Sequence, residues 1–176
     1  KRNVAFRFST GYYYQAPFYR EMRNFSGVLN TNLQAQKSIH FVLGADYNLR
    51  LWERPFKLVG EAYYKILDKL VPYELENVRL RYYATNNAVG FARGADFKLN
   101  GEFVKGLESW ASLSFLQTQE DLIDDYYVNY FNQNGTLITP STFDKTAVDS
   151  VRVTPGYIPR PTDQRLSFGL FLQDEM

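Results

Sequence analysis

From residue 38 to residue 52, apolar and polar side chains alternate. Ile39, Phe41, Leu43, Ala45, Tyr47, Leu49 and Leu51 fall on one side. Ser38, His40, Gly44, Asp46, Asn48 and Arg50 fall on the other, with Val42 and Trp52 as apolar exceptions. A helix would scatter these residues around its circumference, whereas a period of two gives each set its own face of a strand. The pattern repeats. Val4, Phe6, Phe8, Thr10 and Tyr12 oppose Asn3, Ala5, Arg7, Ser9 and Gly11. Phe56, Leu58, Gly60, Ala62, Tyr64 and Ile66 oppose Lys57, Val59, Glu61, Tyr63 and Lys65. Further on, Ala95, Phe97 and Leu99 oppose Gly94, Asp96, Lys98 and Asn100, and Ala111, Leu113 and Phe115 oppose Ser112 and Ser114. Leu166, Phe168, Leu170 and Leu172 oppose Arg165, Ser167, Gly169 and Gln173. The expectation is about six antiparallel strands, several near or above the roughly 9–11 residues that a tilted strand needs to cross a bilayer.

The connections sort by length. Trp52-Glu53-Arg54-Pro55 and Gly101-Glu102-Phe103-Val104-Lys105-Gly106 are short, whereas 16–33, 67–87 and 118–163 are long. Short turns at one rim and long loops at the other are the layout of bacterial outer-membrane barrels. Within the last loop, Tyr126-Tyr127-Val128-Asn129-Tyr130-Phe131 and Thr136-Leu137-Ile138-Thr139 flank Asn134-Gly135, which predicts a hairpin above the membrane. Pro155, Pro159 and Pro161 interrupt any ladder before the final strand.

Composition narrows the classes. With 20 Lys+Arg against 19 Asp+Glu there is no basic excess, so no nucleic-acid partner is expected. Fourteen Tyr and fourteen Phe favour strands. There is no Cys, which excludes disulfides and thiolate metal sites. No apolar run approaches the roughly 20 residues of a membrane helix, but alternating membrane strands average out to mild polarity. The chain begins within one strand pattern (Lys1-Arg2-Asn3-Val4) and stops within another (Leu172-Gln173-Asp174), which suggests a fragment of a longer polypeptide.

Two readings of an alternating barrel compete. A soluble lipocalin-like ligand-binding barrel turns its apolar face inward. A membrane barrel turns it outward, and Arg or Lys at a lipid-facing midplane position then costs roughly 2–4 kcal/mol. The strand lengths and sorted loops favour the membrane. Ile39, Phe41, Leu43, Leu49, Phe97, Leu99, Leu113, Phe115, Leu166, Phe168 and Leu170 are then expected to face lipid. His40, Asp46, Asn48, Arg50, Glu61, Lys65, Asp96 and Lys98 are expected to face a hydrated lumen. Tyr12, Tyr47, Trp52, Tyr63 and Tyr64 lie toward strand ends, where aromatic girdles sit.

Candidate chemistry is sparse. His40 is the only histidine and reads as a hydrogen-bonding residue of the polar face. Glu120-Asp121 and Asp124-Asp125 lack EF-hand spacing and read as a solvated rim. Tyr126, Tyr127, Tyr130 and Phe131 suit either ligand contact or packing within their own hairpin. Tyr12, Tyr13 and Tyr14, continuing to Phe18 and Tyr19, read the same way. Arg79 and Arg81, alternating with Val78, Leu80 and Tyr82, look like a strand extension above the bilayer. No nucleophile–base pair, phosphate loop or zinc spacing appears, so neither enzymatic activity, cofactor nor metal is expected.

Tyr83-Ala84-Thr85-Asn86-Asn87-Ala88-Val89-Gly90-Phe91-Ala92-Arg93-Gly94-Ala95-Asp96-Phe97 resembles the Asn-x-Gly…Gly-x-Glu strand of TonB-dependent outer-membrane receptors, with Asp96 where Glu is usual. Gln34-Ala35-Gln36-Lys37-Ser38-Ile39-His40-Phe41-Val42-Leu43-Gly44 is similar to a strand start of that family. It follows the aromatic approach Tyr14-Gln15-Ala16-Pro17-Phe18. Arg160-Pro161-Thr162-Asp163-Gln164 before a strand is most like receptors from Bacteroidota. The resemblance implies a 22-stranded barrel around a plug, which imports a scarce siderophore, cobalamin or glycan with energy delivered through TonB. Residues 1–176 would be a late part of the barrel wall, short of its last strand because no terminal aromatic is present, and without plug or TonB-contacting segment. The expected partners are the outer-membrane bilayer, the remaining barrel and plug, TonB through that plug, and a surface lipoprotein. A receptor-like barrel serving as a structural or secretion scaffold for surface proteins is the alternative.

Overall fold

The computed structural model describes residues 3–172, so the expectations placed on Lys1, Arg2, Gln173 and Asp174 lie outside the described residues. The fold is all-β. The elements are β1 (Val4–Gln15), β2 (Gln36–Leu51), β3 (Arg54–Leu70), β4 (Tyr73–Glu76), β5 (Arg79–Tyr82), β6 (Ala88–Val104), β7 (Leu107–Leu122), β8 (Tyr127–Phe131), β9 (Asp149–Val153), β10 (Ile158–Pro159) and β11 (Leu166–Leu172). Seven of them form one antiparallel sheet, ordered β1-β2-β3-β6-β7, with β10 and β11 both on the far edge of β7. No closed barrel forms among the described residues. β1 and β11 end the sheet and do not pair with each other.

Strand starts and stops follow from turn chemistry. β2 and β3 meet at a two-residue turn, Trp52 and Glu53, both at positive φ (51° and 64°). That is the handedness a tight hairpin requires, here without glycine. Arg54 and Pro55, expected in the turn, already belong to β3. The β6–β7 turn contracts to Lys105 and Gly106, with Gly106 at φ 82° and a register shift between Gly101 and Val104. The other three connections, 16–35, 71–87 and 123–165, are long and leave the sheet at the opposite rim.

β2, β3, β6 and β7 run for 16 or 17 residues, well past the alternating stretches. Near the long-loop rim both faces turn polar, as at Gln117, Thr118, Gln119 and Glu120. The hydrogen-bond ladder continues there, but the alternation that announces it does not.

Register keeps the two faces separate across the sheet. Phe8, Leu43, Ala62, Ala95, Phe115 and Leu166 form one cross-strand row, and Phe6, Ala45, Gly60, Phe97, Leu113 and Phe168 the next. Nothing covers them: Phe6 is 77% exposed, Leu43 55% and Phe168 69%. Ile39, Leu49, Leu99 and Leu113 are half-buried by their strand neighbours, and Phe41, Phe97, Phe115, Leu166 and Leu170 are exposed. Among the described residues, charge on this face is sparse. Lys37 faces Asp68 at the long-loop end of β2 and β3, and Arg93 on β6 hydrogen-bonds Gln117 at 2.8 Å. The apolar band reaches Tyr12, Ile39 and Ile66 on β1–β3 and continues past Arg93 to Phe91 on β6, which pairs with Ile66 and stacks on Tyr64. Tyr12, Tyr47 and Tyr64 lie on this face, whereas Tyr63 lies on the other, against Gly94.

The buried hydrophobic cluster sits in the loops. Leu33, Val71 and Tyr82 pack with Met22 and Tyr73. Asn86 ties two loops together: its side-chain amide donates to the carbonyls of Lys69 (2.8 Å) and Gln34 (3.1 Å), and its Oδ1 accepts the Gln34 amide (2.7 Å). Within the second loop, β4 and β5 pair as a separate hairpin, so Arg79 and Arg81 belong to it and do not extend the main sheet.

The third loop reverses at Asn134-Gly135 as expected, but the hairpin is short: Phe131 bridges Leu137, the Asn132 amide donates to the Thr136 carbonyl (3.0 Å) and the Ile138 amide to that of Tyr130 (2.8 Å), while the ladder of β8 is formed with β9, 149–153. Buried Asn132 explains this. Its Oδ1 accepts the amides of Asn134 (3.1 Å) and Thr136 (3.0 Å), while Gly135, at φ 70°, donates to its carbonyl (2.9 Å). The side chain closes a compact turn where a two-residue hairpin was expected.

Candidate functional site

The chemistry of the sheet is concentrated on the face opposite the apolar band. His40, Asp46, Asn48 and Arg50 on β2, Glu61 and Lys65 on β3, and Asp96 and Lys98 on β6 all share it. Asp46 Oδ2 receives Arg7 Nη1 at 2.7 Å and Lys57 Nζ at 3.0 Å, and Arg7 Nη2 reaches Glu61 at 3.4 Å. Glu61 stands directly opposite Asp96, a like-charge pair that disfavours this register, and Arg7 offsets it from the other side. Gly44 permits that reach, since a Cβ there would lie 3.3 Å from the Arg7 guanidinium. Lys98 lies over the Trp110 ring at 4.8 Å, and Lys65 over Tyr63 at 5.2 Å.

Toward the long-loop rim this face leads into a cleft of about 490 Å³. His40 stacks on Tyr13 there, with ring centroids 4.2 Å apart. Tyr73 and Tyr82 enter from the second loop, Glu21 from the first, and Arg160 from the residue after β10. Glu21 is buried and internally satisfied, accepting the Phe18 amide at 2.8 Å and Gln36 Nε2 at 3.5 Å. Ser38 Oγ is buried with no hydrogen-bond partner among the described residues. Burial pushes the Tyr73 phenol above its ordinary value.

Arg160 also corrects the acidic rim. Glu120, expected to be solvated, is 4% exposed, with Oε2 3.0 Å from Arg160 Nε. Asp124 is exposed, and Asp121 and Asp125 are half-buried. Among the described residues, no three His, Cys, Asp or Glu side chains are grouped as a metal site would require. No described helix is long and apolar enough to cross a membrane, which says nothing about crossing by strands.

The four loop aromatics do not converge. Tyr127 and Phe131 point to one face of β8 and Tyr130 to the other, and Tyr126 precedes the strand beneath the Arg152 guanidinium at 3.7 Å. None of them lines the rim cleft. Tyr73, Tyr82, Glu21 and Arg160, which do, carried no joint signal in the sequence because separate loops supply them. No protein-family model, curated protein or solved structure matches the chain.

Proposed function

We propose that this chain forms part of the wall of a transmembrane β-barrel in a bacterial outer membrane, and that the barrel is a TonB-dependent receptor taking up a scarce ligand. One observation carries the membrane reading. A continuous, almost uncharged apolar face lies bare on one side of the sheet, while the other side carries an ion-pair network. Exposure of that much contiguous apolar surface marks a contact with lipid or with another apolar surface. A soluble barrel of lipocalin type would bury those side chains instead. Strands of 16 or 17 residues exceed the roughly 9–11 needed for a crossing. Their surplus stands clear of the bilayer at the long-loop rim.

The polar face would then border the lumen and the rim cleft would open toward the outside, placed to receive a ligand before passage. The receptor assignment is supported by the motifs resembling that family, and the open edges of β1 and β11 leave room for the rest of a larger wall.

The chain holds no Cys, so with any cysteine outside it replaced, single cysteines report cleanly. In the full-length protein reconstituted in lipid, a fluorophore on Leu43→Cys or Phe168→Cys should be quenched by brominated acyl chains. One on Asn48→Cys should not be. Equal quenching at all three positions would contradict the assignment of faces.

A further inference from the structure

Arg20, Arg23 and Arg81 gather where the first long loop meets the β4–β5 hairpin, and all three line one open cleft of about 330 Å³. Each is held against aromatic rings. Arg20 lies 5.8 Å from the Phe18 centroid and 6.0 Å from that of Tyr82, Arg23 5.3 Å from Tyr19, and Arg81 4.8 Å from Phe25. Arg23 Nη2 also donates to the Tyr19 hydroxyl at 2.8 Å.

Carboxylates answer only part of this charge. Glu76 binds Arg81, and Glu74 accepts a hydrogen bond from the Tyr83 hydroxyl. Among the described residues no carboxylate forms an ion pair with Arg20 or Arg23. Gathering like charges in one cleft is unfavourable unless something of opposite sign shares it. Arg81 already donates Nη1 to Glu76 and Nη2 to the Phe25 carbonyl (3.4 Å), whereas the aromatic faces hold the guanidinium planes of Arg20 and Arg23 with donors left over, so little freedom is lost when an acceptor arrives.

We propose that this cleft is a binding site for a phosphate-class anion. Two or more guanidinium forks address three or more oxygens at once, which a tetrahedral phosphate offers and a single carboxylate does not. The phosphate belongs either to a soluble phosphate compound or to the headgroup of an anionic lipid. The site needs only the two loops, so it stands or falls independently of the barrel assignment.

The test uses the full-length protein in detergent with inorganic pyrophosphate as the soluble probe, followed by calorimetry. Binding should weaken by about tenfold or more in R20Q/R23Q, since both charged forks that address the phosphate oxygens are lost. K105Q, at the opposite rim, should bind like the wild type. Modification by phenylglyoxal, read by mass spectrometry on the wild-type protein, needs no variant: pyrophosphate should protect Arg20 and Arg23. Repeating this in phosphatidylcholine vesicles with and without phosphatidic acid separates the sources. Protection by phosphatidic acid identifies a lipid headgroup, and protection by pyrophosphate alone identifies a soluble phosphate. Absence of protection by both probes, or pyrophosphate binding unchanged in R20Q/R23Q, would overturn the proposal.

Discussion

Asp163 Oδ1 accepts the backbone amide of Thr118 at 2.7 Å. A carboxylate thus takes the ladder position on β7 between β10 and β11, where the chain bulges out of the sheet. Arg160 donates its amide to the Thr118 carbonyl at 3.1 Å, and Arg165 Nε reaches Asp163 Oδ2 at 2.6 Å. The third loop is therefore pinned at its return point by one side chain that substitutes for strand backbone.

Removing that acceptor leaves a buried amide unpaired, because Thr118 is 4% exposed. Asp163→Ala should cost about 1–3 kcal/mol and speed hydrogen exchange at the Thr118 amide. Asp163→Asn, which keeps an acceptor oxygen, should lose less. Native exchange at Thr118 in the alanine variant would refute the role given to this contact.

Two glycines of the polar face should respond differently to an added methyl. At Gly94 a Cβ would meet the Phe115 carbonyl oxygen at 2.3 Å and the Tyr63 hydroxyl at 2.5 Å; at Gly44 it meets the movable end of Arg7 at 3.3 Å. Gly94→Ala should destabilise by about 1–3 kcal/mol, as overpacking does, and Gly44→Ala by clearly less. Urea denaturation of both variants in the same lipid checks the order.

The Tyr83 phenol is pushed up to about 12 by the hydrogen bond it donates to Glu74, with burial adding to it. A group whose folded value is raised stabilises fully below its unfolded value, here near 10, and loses that contribution as pH climbs through about 12. The stability difference between wild type and Tyr83→Phe should therefore be flat below pH 10 and shrink above it. Phenolate absorbance of the two proteins should differ by one late-titrating tyrosine.

The Arg7–Asp46 pair invites a smaller expectation. The Arg7 side chain is half exposed, and exposed pairs contribute about 0–1 kcal/mol. A double-mutant cycle with Arg7→Gln and Asp46→Asn should return a coupling within that range. A much larger coupling would mean that the face is drier than a water-filled channel.

The sequence shows the sheet wherever one face is apolar and the other polar. That covers the central stretches of β1, β2, β3, β6, β7 and β11, and the sorting of long and short connections. It falls silent where both faces meet water, so the outer turns of β6 and β7 were missed although Thr118 and Glu120 continue the ladder. The face of each charged residue was legible from parity alone: His40, Glu61 and Lys98 fall together because register preserves alternation. Which of them touch was not, since Arg7 reaches Asp46 diagonally on the neighbouring strand and Glu61 two strands away, over Gly44. Side-chain capture hid the fold of the third loop. Asn132 tightens the turn at Asn134-Gly135 and β9 takes the ladder of β8, and Arg160 pairs with buried Glu120 from 40 residues away in sequence. The rim cleft has no linear signature.

The most direct test of the membrane assignment places a full charge on each face in turn. Where the apolar band meets hydrocarbon, Leu43→Arg and Phe168→Arg should each lower folding stability in lipid by roughly 2–4 kcal/mol and reduce insertion. Asn48→Arg, on the polar face, should leave both nearly unchanged. Equal tolerance of arginine at Leu43 and Asn48 would contradict it.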